Sequence, residues 1–98
     1  MDRNTAIARL KAHEAELRGM GVVSLSLFGS TARGDNRADS DVDVAVAIDR
    51  AAQMDLFTFA AMSAQLNDWL EVPVDLVSEP ARRPRFQAEI DRDRVRVF

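Results

Sequence analysis

The sequence contains no cysteine. That excludes a disulfide framework, a thiolate nucleophile and any Cys-ligated zinc or iron–sulfur centre. A single histidine, His13, leaves no material for a His-rich metal site or for Ser-His-Asp catalysis within one chain. No apolar run approaches the roughly 18 residues needed to cross a bilayer. The stretch from Met1 to Leu10 interleaves charge with alanine, unlike a signal peptide. Basic excess is missing too. Thirteen Lys and Arg stand against 16 Asp and Glu, a net charge of −3, so the bulk balance advertises no groove for nucleic acid. There is no internal repeat, low-complexity tract or interdomain linker. The expectation is a cytoplasmic protein with no membrane association and no direct nucleic-acid partner. What remains is enough for one domain over residues 1–98. Of the 98 residues, 26 are Leu, Ile, Val or Phe, above the roughly 20% below which chains tend to stay disordered.

Periodicity predicts the elements. Ile7, Leu10 and Leu17 fall near one stripe and predict a helix over 2–18, stopped at Gly19 and Gly21. His13 would lie on its solvated face. Val23, Leu25 and Leu27 alternate with serines and predict a strand over 22–28. Residues 29–40 are rich in turn formers and charge, a loop with room for one helical turn after Gly29. Val42, Val44, Val46 and Ile48 share one face of a second strand, 41–48, whose other face carries Asp41, Asp43, Ala45 and Ala47. Leu56, Phe59, Ala60, Ser63, Leu66 and Leu70 follow helical spacing over 55–70. Phe57 falls off that stripe, and if exposed it would suggest a partner surface. A third strand over 72–77 holds Asp75, a stiff basic connector carries Pro80, Arg82, Arg83 and Pro84, and a short helix (85–93) and terminal strand (95–98) close the chain. The order implies an α/β (α+β) fold, a small mixed sheet flanked by helices.

The second strand carries the anomaly. Asp41 and Asp43, at i and i+2, point to the same side, with Cα atoms about 6.5–7 Å apart. Like charges that close are costly unless a cation neutralises them. Taken alone, the pair could equally be a solvated strand face. Asp75 adds a third carboxylate, which would face the same point if its strand lies beside the second in register. Upstream, Gly29-Ser30 closes an apolar strand. A glycine there lets backbone approach a phosphate, the hydroxyl adds a donor, and Arg33 and Arg37 are within reach as cations. An anion cradle and a cation cage within a dozen residues suit a nucleoside triphosphate bound to Mg²⁺.

Gly29-Ser30, ten intervening residues, then Asp41-Val42-Asp43 resembles the signature of the DNA polymerase β-like nucleotidyltransferase superfamily. The run GSTARGDNRADSDVDVAV is especially similar to the minimal nucleotidyltransferase (MNT) family, small prokaryotic proteins often encoded beside a HEPN-domain partner. The resemblance implies the polymerase β-like fold and a metal-dependent transfer of AMP from ATP to a hydroxyl. It implies metal binding, by two Mg²⁺ ions, at Asp41, Asp43 and Asp75, with Asp75 also assisting deprotonation of the acceptor. It implies nucleotide binding at Gly29 and Ser30, joined by Arg33, and a turn-shaping role for Ser40. In the toxin–antitoxin branch it implies AMP transfer to a tyrosine of a HEPN toxin, which silences it, and association as a homodimer or hetero-oligomer. Two alternatives stay open: a catalytically silent antitoxin that neutralises by binding alone, and a subunit serving a small-molecule acceptor.

Overall fold

The alternation in Val42–Ile48 (β2) sorts its side chains onto two faces of a sheet, and the fold is built on that division. The computed structural model describes all 98 residues, Met1–Phe98. Val22–Phe28 (β1) runs antiparallel to β2, Val74–Glu79 (β3) runs parallel to it, and Val95–Arg96 (β4) pairs antiparallel with β1. The sheet order is β3-β2-β1-β4. A mixed sheet flanked by helices is thus what the chain forms.

One face is thickly covered. Val42, Val44 and Val46 pack with Leu25 and Leu27 against Leu10 of helix Arg3–Ala12 (α1), Leu17 of Glu14–Gly19 (α2), and Met62, Leu66 and Leu70 of Leu56–Leu70 (α4). The other face is covered mainly by Pro84–Asp93 (α5), whose Ile90 and Phe86 meet Phe28 and Ala45. Leu66 is fully buried at the centre of the larger core. Leu66→Ala is expected to destabilise the chain by about 2–5 kcal/mol, read as a shifted urea-denaturation midpoint with an unchanged slope.

Three local expectations need correction. The first helix is two helices, broken at His13, which leaves helical geometry (φ −107°, ψ 16°). Its ring is only partly solvated. It stacks on Trp69 with centroids 3.9 Å apart and planes 5° from parallel, and bonds Glu16 at 2.8 Å. Stacking on the far end of α4 and apolar cover for two flat rings account for the break. The third strand begins at Val74, not Val72. Glu71 is left-handed (φ 59°), Pro73 has no N–H to give, and the Val74 N–H is taken by Asn67 Oδ1 at 2.7 Å. Finally, β2 begins at Val42, so Asp41 stands just ahead of the strand.

Candidate active site

The carboxylates meet through strand register. On the face opposite the large core, β2 sets Asp43 between Phe28 of β1 and Asp75 of β3. Side chains of parallel neighbours in register point the same way, with backbones about 4.8 Å apart. The next row, Ser26, Ala45 and Val77, lies under α5. Asp43 and Asp75 therefore form the end row of a half-covered face. Asp43 is half-buried, whereas Asp41 and Asp75 are exposed.

Their electrostatics follow from that placement. Burial pushes the Asp43 carboxyl above its ordinary value of 3.8. The charges of Asp75 and then Asp41 push it further, while Arg33 pulls the other way. None of the three acids takes part in any ion pair of the chain. No set of three acidic or histidine side chains is drawn into a closed cage for an ion. The expectation that three carboxylates face one point is met only as a register pair with Asp41 nearby. This arrangement suits Mg²⁺ carried on a nucleotide. That ion dehydrates reluctantly and is usually held by one or two carboxylates plus substrate phosphates, not by an all-protein cage.

The corner beside Asp43 is built on Gly29. This residue opens a five-residue helix, Gly29–Arg33 (α3), at φ +69°. A Cβ there would overlap Oδ2 of Asp43 and stand 3.2 Å from its Cγ. The carboxylate thus rests directly on glycine backbone. No side chain caps the N-terminus of α3, so its first N–H groups are not claimed by a capping oxygen. Ser30 is half-buried in this turn, and Thr31 is fully buried with a hydroxyl that finds no partner. Gly34, left-handed at φ 83°, closes the turn.

Two other sequence candidates are held by the protein itself. Arg33 donates to Asp35 at 3.1 Å and to Asp93 of α5 at 2.7 Å, so its guanidinium is tied across the site. Ser40 accepts the Arg37 N–H at 2.9 Å and fixes the turn leading to Asp41. Asp93 was not legible from sequence. It lies in an alternating run of acids and arginines, and only the docking of α5 shows which acid turns inward. Leu56 and Phe57 stand 78% and 85% exposed on the first turn of α4.

The chain as a whole has relatives among known proteins. Residues 10–98 match the family model described as the nucleotidyltransferase domain. Protein adenylyltransferase MntA of Thermococcus cleftensis is 34% identical over 89 residues, covering 90% of this chain and 88% of that protein. A solved structure assigned as a minimal nucleotidyltransferase superposes with a TM-score of 0.81 at 36% identity, covering 97% of this chain and 95% of that one. A chain from the complex of tri-AMPylated Shewanella oneidensis HEPN toxin with MNT antitoxin shares the fold, with a TM-score of 0.62 at 18% identity over 90% of this chain and 71% of that one. The chain belongs to the nucleotidyltransferase domain family, in its minimal (MNT) branch. No helix is long and apolar enough to cross a membrane.

Proposed function

We propose that the chain transfers AMP from ATP to a hydroxyl of a partner protein, a HEPN-type toxin whose acceptor is a tyrosine, and so acts as an antitoxin. The observation that carries the reading is the end row of the sheet. Asp43 lies in register with Asp75, rests on the Gly29 backbone, and forms no ion pair within its own chain. Similarity to a protein adenylyltransferase over nine-tenths of the chain supports the donor and the acceptor class. The exposed Leu56 and Phe57 supply apolar surface for a protein partner.

In this reading Asp41 and Asp43 hold the cations, and Gly29 and Ser30 receive the triphosphate on backbone N–H groups and a hydroxyl. Two Mg²⁺ ions, when bound, supply charge neutralisation of the triphosphate and activation of the acceptor oxygen. Asp75, exposed at the start of an edge strand, accepts the proton of the acceptor hydroxyl. That oxygen attacks the α-phosphorus, the bond from the α-phosphorus to the bridging oxygen breaks, and pyrophosphate leaves. Arg33, pinned by Asp93, keeps a positive charge beside Asp43. Ser40 fixes the approach of Asp41. The chain's contribution is positioning and electrostatics on a rigid sheet.

The test is label transfer from ATP labelled at the α-phosphate to the product of the neighbouring gene. Asp75→Asn is expected to slow transfer by roughly a hundred- to ten-thousand-fold while nucleotide binding changes little. Equal loss of nucleotide binding would move Asp75 from proton acceptor to cation holder. An Asp41→Asn/Asp43→Asn chain that still silences its partner would favour neutralisation by binding alone.

A further inference from the structure

Adenylyl transfer leaves the outer edge of β3 and the arginines that follow it without a role. β3 pairs with β2 on one side only, as the end member of the sheet. An open strand edge is a template for another strand unless it is blunted. Here a groove of about 680 Å³ lies along it. Phe59 and Leu76 line the groove from the α4 side of the sheet, and Val77 and Phe86 from the α5 side. Apolar pockets above and below an open edge are what an added strand requires, since its side chains alternate between faces. At the rim stand Arg82, Arg83 and Arg85, with Glu89 as the one acid. All three arginines are exposed, and none joins an ion pair of the chain. In a chain of net charge −3, three unmatched guanidinium groups at one site are a local excess.

We infer that this groove docks an extended, acidic segment of the acceptor protein, added as a further strand against β3. The inference rests on the reading that the acceptor is a protein. Backbone hydrogen bonds along the edge hold the segment, the apolar pockets take alternate side chains, and the arginines select carboxylates. Asp75 belongs to the same strand, so a segment laid on β3 carries its side chains past the acid row. A second copy of this chain paired there would lay its own backbone against Asp75 and close that row to any acceptor. The acceptor segment is therefore the occupant compatible with transfer.

The probe is a fluorescent synthetic peptide with two successive Val on each side of a central Tyr, so that both faces of the strand carry apolar side chains, and Glu at both flanks, with a Lys-for-Glu peptide as its control. Anisotropy titrations of the full chain with ATP and Mg²⁺ are expected to show the acidic peptide binding about ten-fold or more tighter. Amide exchange is expected to slow along β3. The R82E/R83E/R85E chain should reverse the preference, and the R82A/R83A/R85A chain should abolish it without reversing it. Equal affinities, or binding without protection of β3, would overturn the inference. So would protection of β3 that rises with protein concentration in the absence of peptide, which assigns the edge to a second copy. Label transfer to the peptide's tyrosine is read in the same samples. Docking without transfer would leave the groove assignment standing and count against the adenylyltransferase reading instead.

Discussion

Asp43→Asn is expected to abolish AMP transfer and at the same time to make the folded chain more stable. The two effects have one cause. Asp43 is a half-buried carboxylate whose burial and two acidic neighbours outweigh the pull of Arg33, so its charge is costly in the free protein. In the proposed reaction that same costly charge is what holds the cation. Removing it should lower transfer by roughly a thousand-fold or more, as loss of a preorganised electrostatic group does. It should also raise Tm measured at neutral pH without magnesium. The pH dependence has a defined sign. The folded-state pKa lies above the ordinary 3.8. Well below 3.8 the group is protonated in both states and contributes nothing. As pH rises from 3.8 through the raised value, the unfolded chain loses its proton first and stability falls. The asparagine variant should lack that decline, and added Mg²⁺ with ATP should stabilise the native chain far more than the variant. A variant that melts lower than the native chain at neutral pH would show that Asp43 is structural.

Gly29→Ala is expected to damage both fold and activity. Two separate obstacles meet at one atom. The backbone at φ +69° is a conformation that side chains rarely adopt. The added Cβ would also overlap the Asp43 carboxylate, which would have to move off its resting place. Gly34, also at positive φ, has open space around its would-be Cβ, so Gly34→Ala is a matched control for the backbone effect alone. Both variants should melt lower than the native chain. Only Gly29→Ala should lose transfer by roughly a hundred-fold or more, the scale of a misplaced reacting group. Equal activity in the two variants would detach the Gly29 corner from the chemistry.

The sheet was legible in sequence because its signal is local. Val42, Val44 and Val46 alternate with Asp43 and Ala45, and period two leaves one choice of faces. The candidate site was proposed on an equally local signal: Gly29, Ser30, Asp41 and Asp43 are close in sequence, in a spacing that suits a nucleotide and its cation. What escaped was set by tertiary contact. The break at His13 follows from a ring stacking on Trp69, a residue 56 positions away in the same sequence. Arg33, read as a cation for the nucleotide's phosphates, is held by Asp93 sixty residues on. The pairing of Asp75 with Asp43 depends on the parallel register of β3, which no local pattern fixes. The groove at β3 likewise exists only once α4 and α5 take opposite sides of one edge.

In the proposed reaction Asp41, Asp43 and Asp75 around the Gly29 corner move AMP from ATP to a protein hydroxyl. The most direct measurement is mass spectrometry of the neighbouring gene's product after incubation with the chain, ATP and Mg²⁺. AMP is expected on a tyrosine of that product with the native chain and none with the Asp41→Asn/Asp43→Asn chain, which is expected to remain folded. Modification that persists with the double variant, or a folded native chain that binds its partner and ATP yet leaves the partner unmodified, would contradict the proposed reaction.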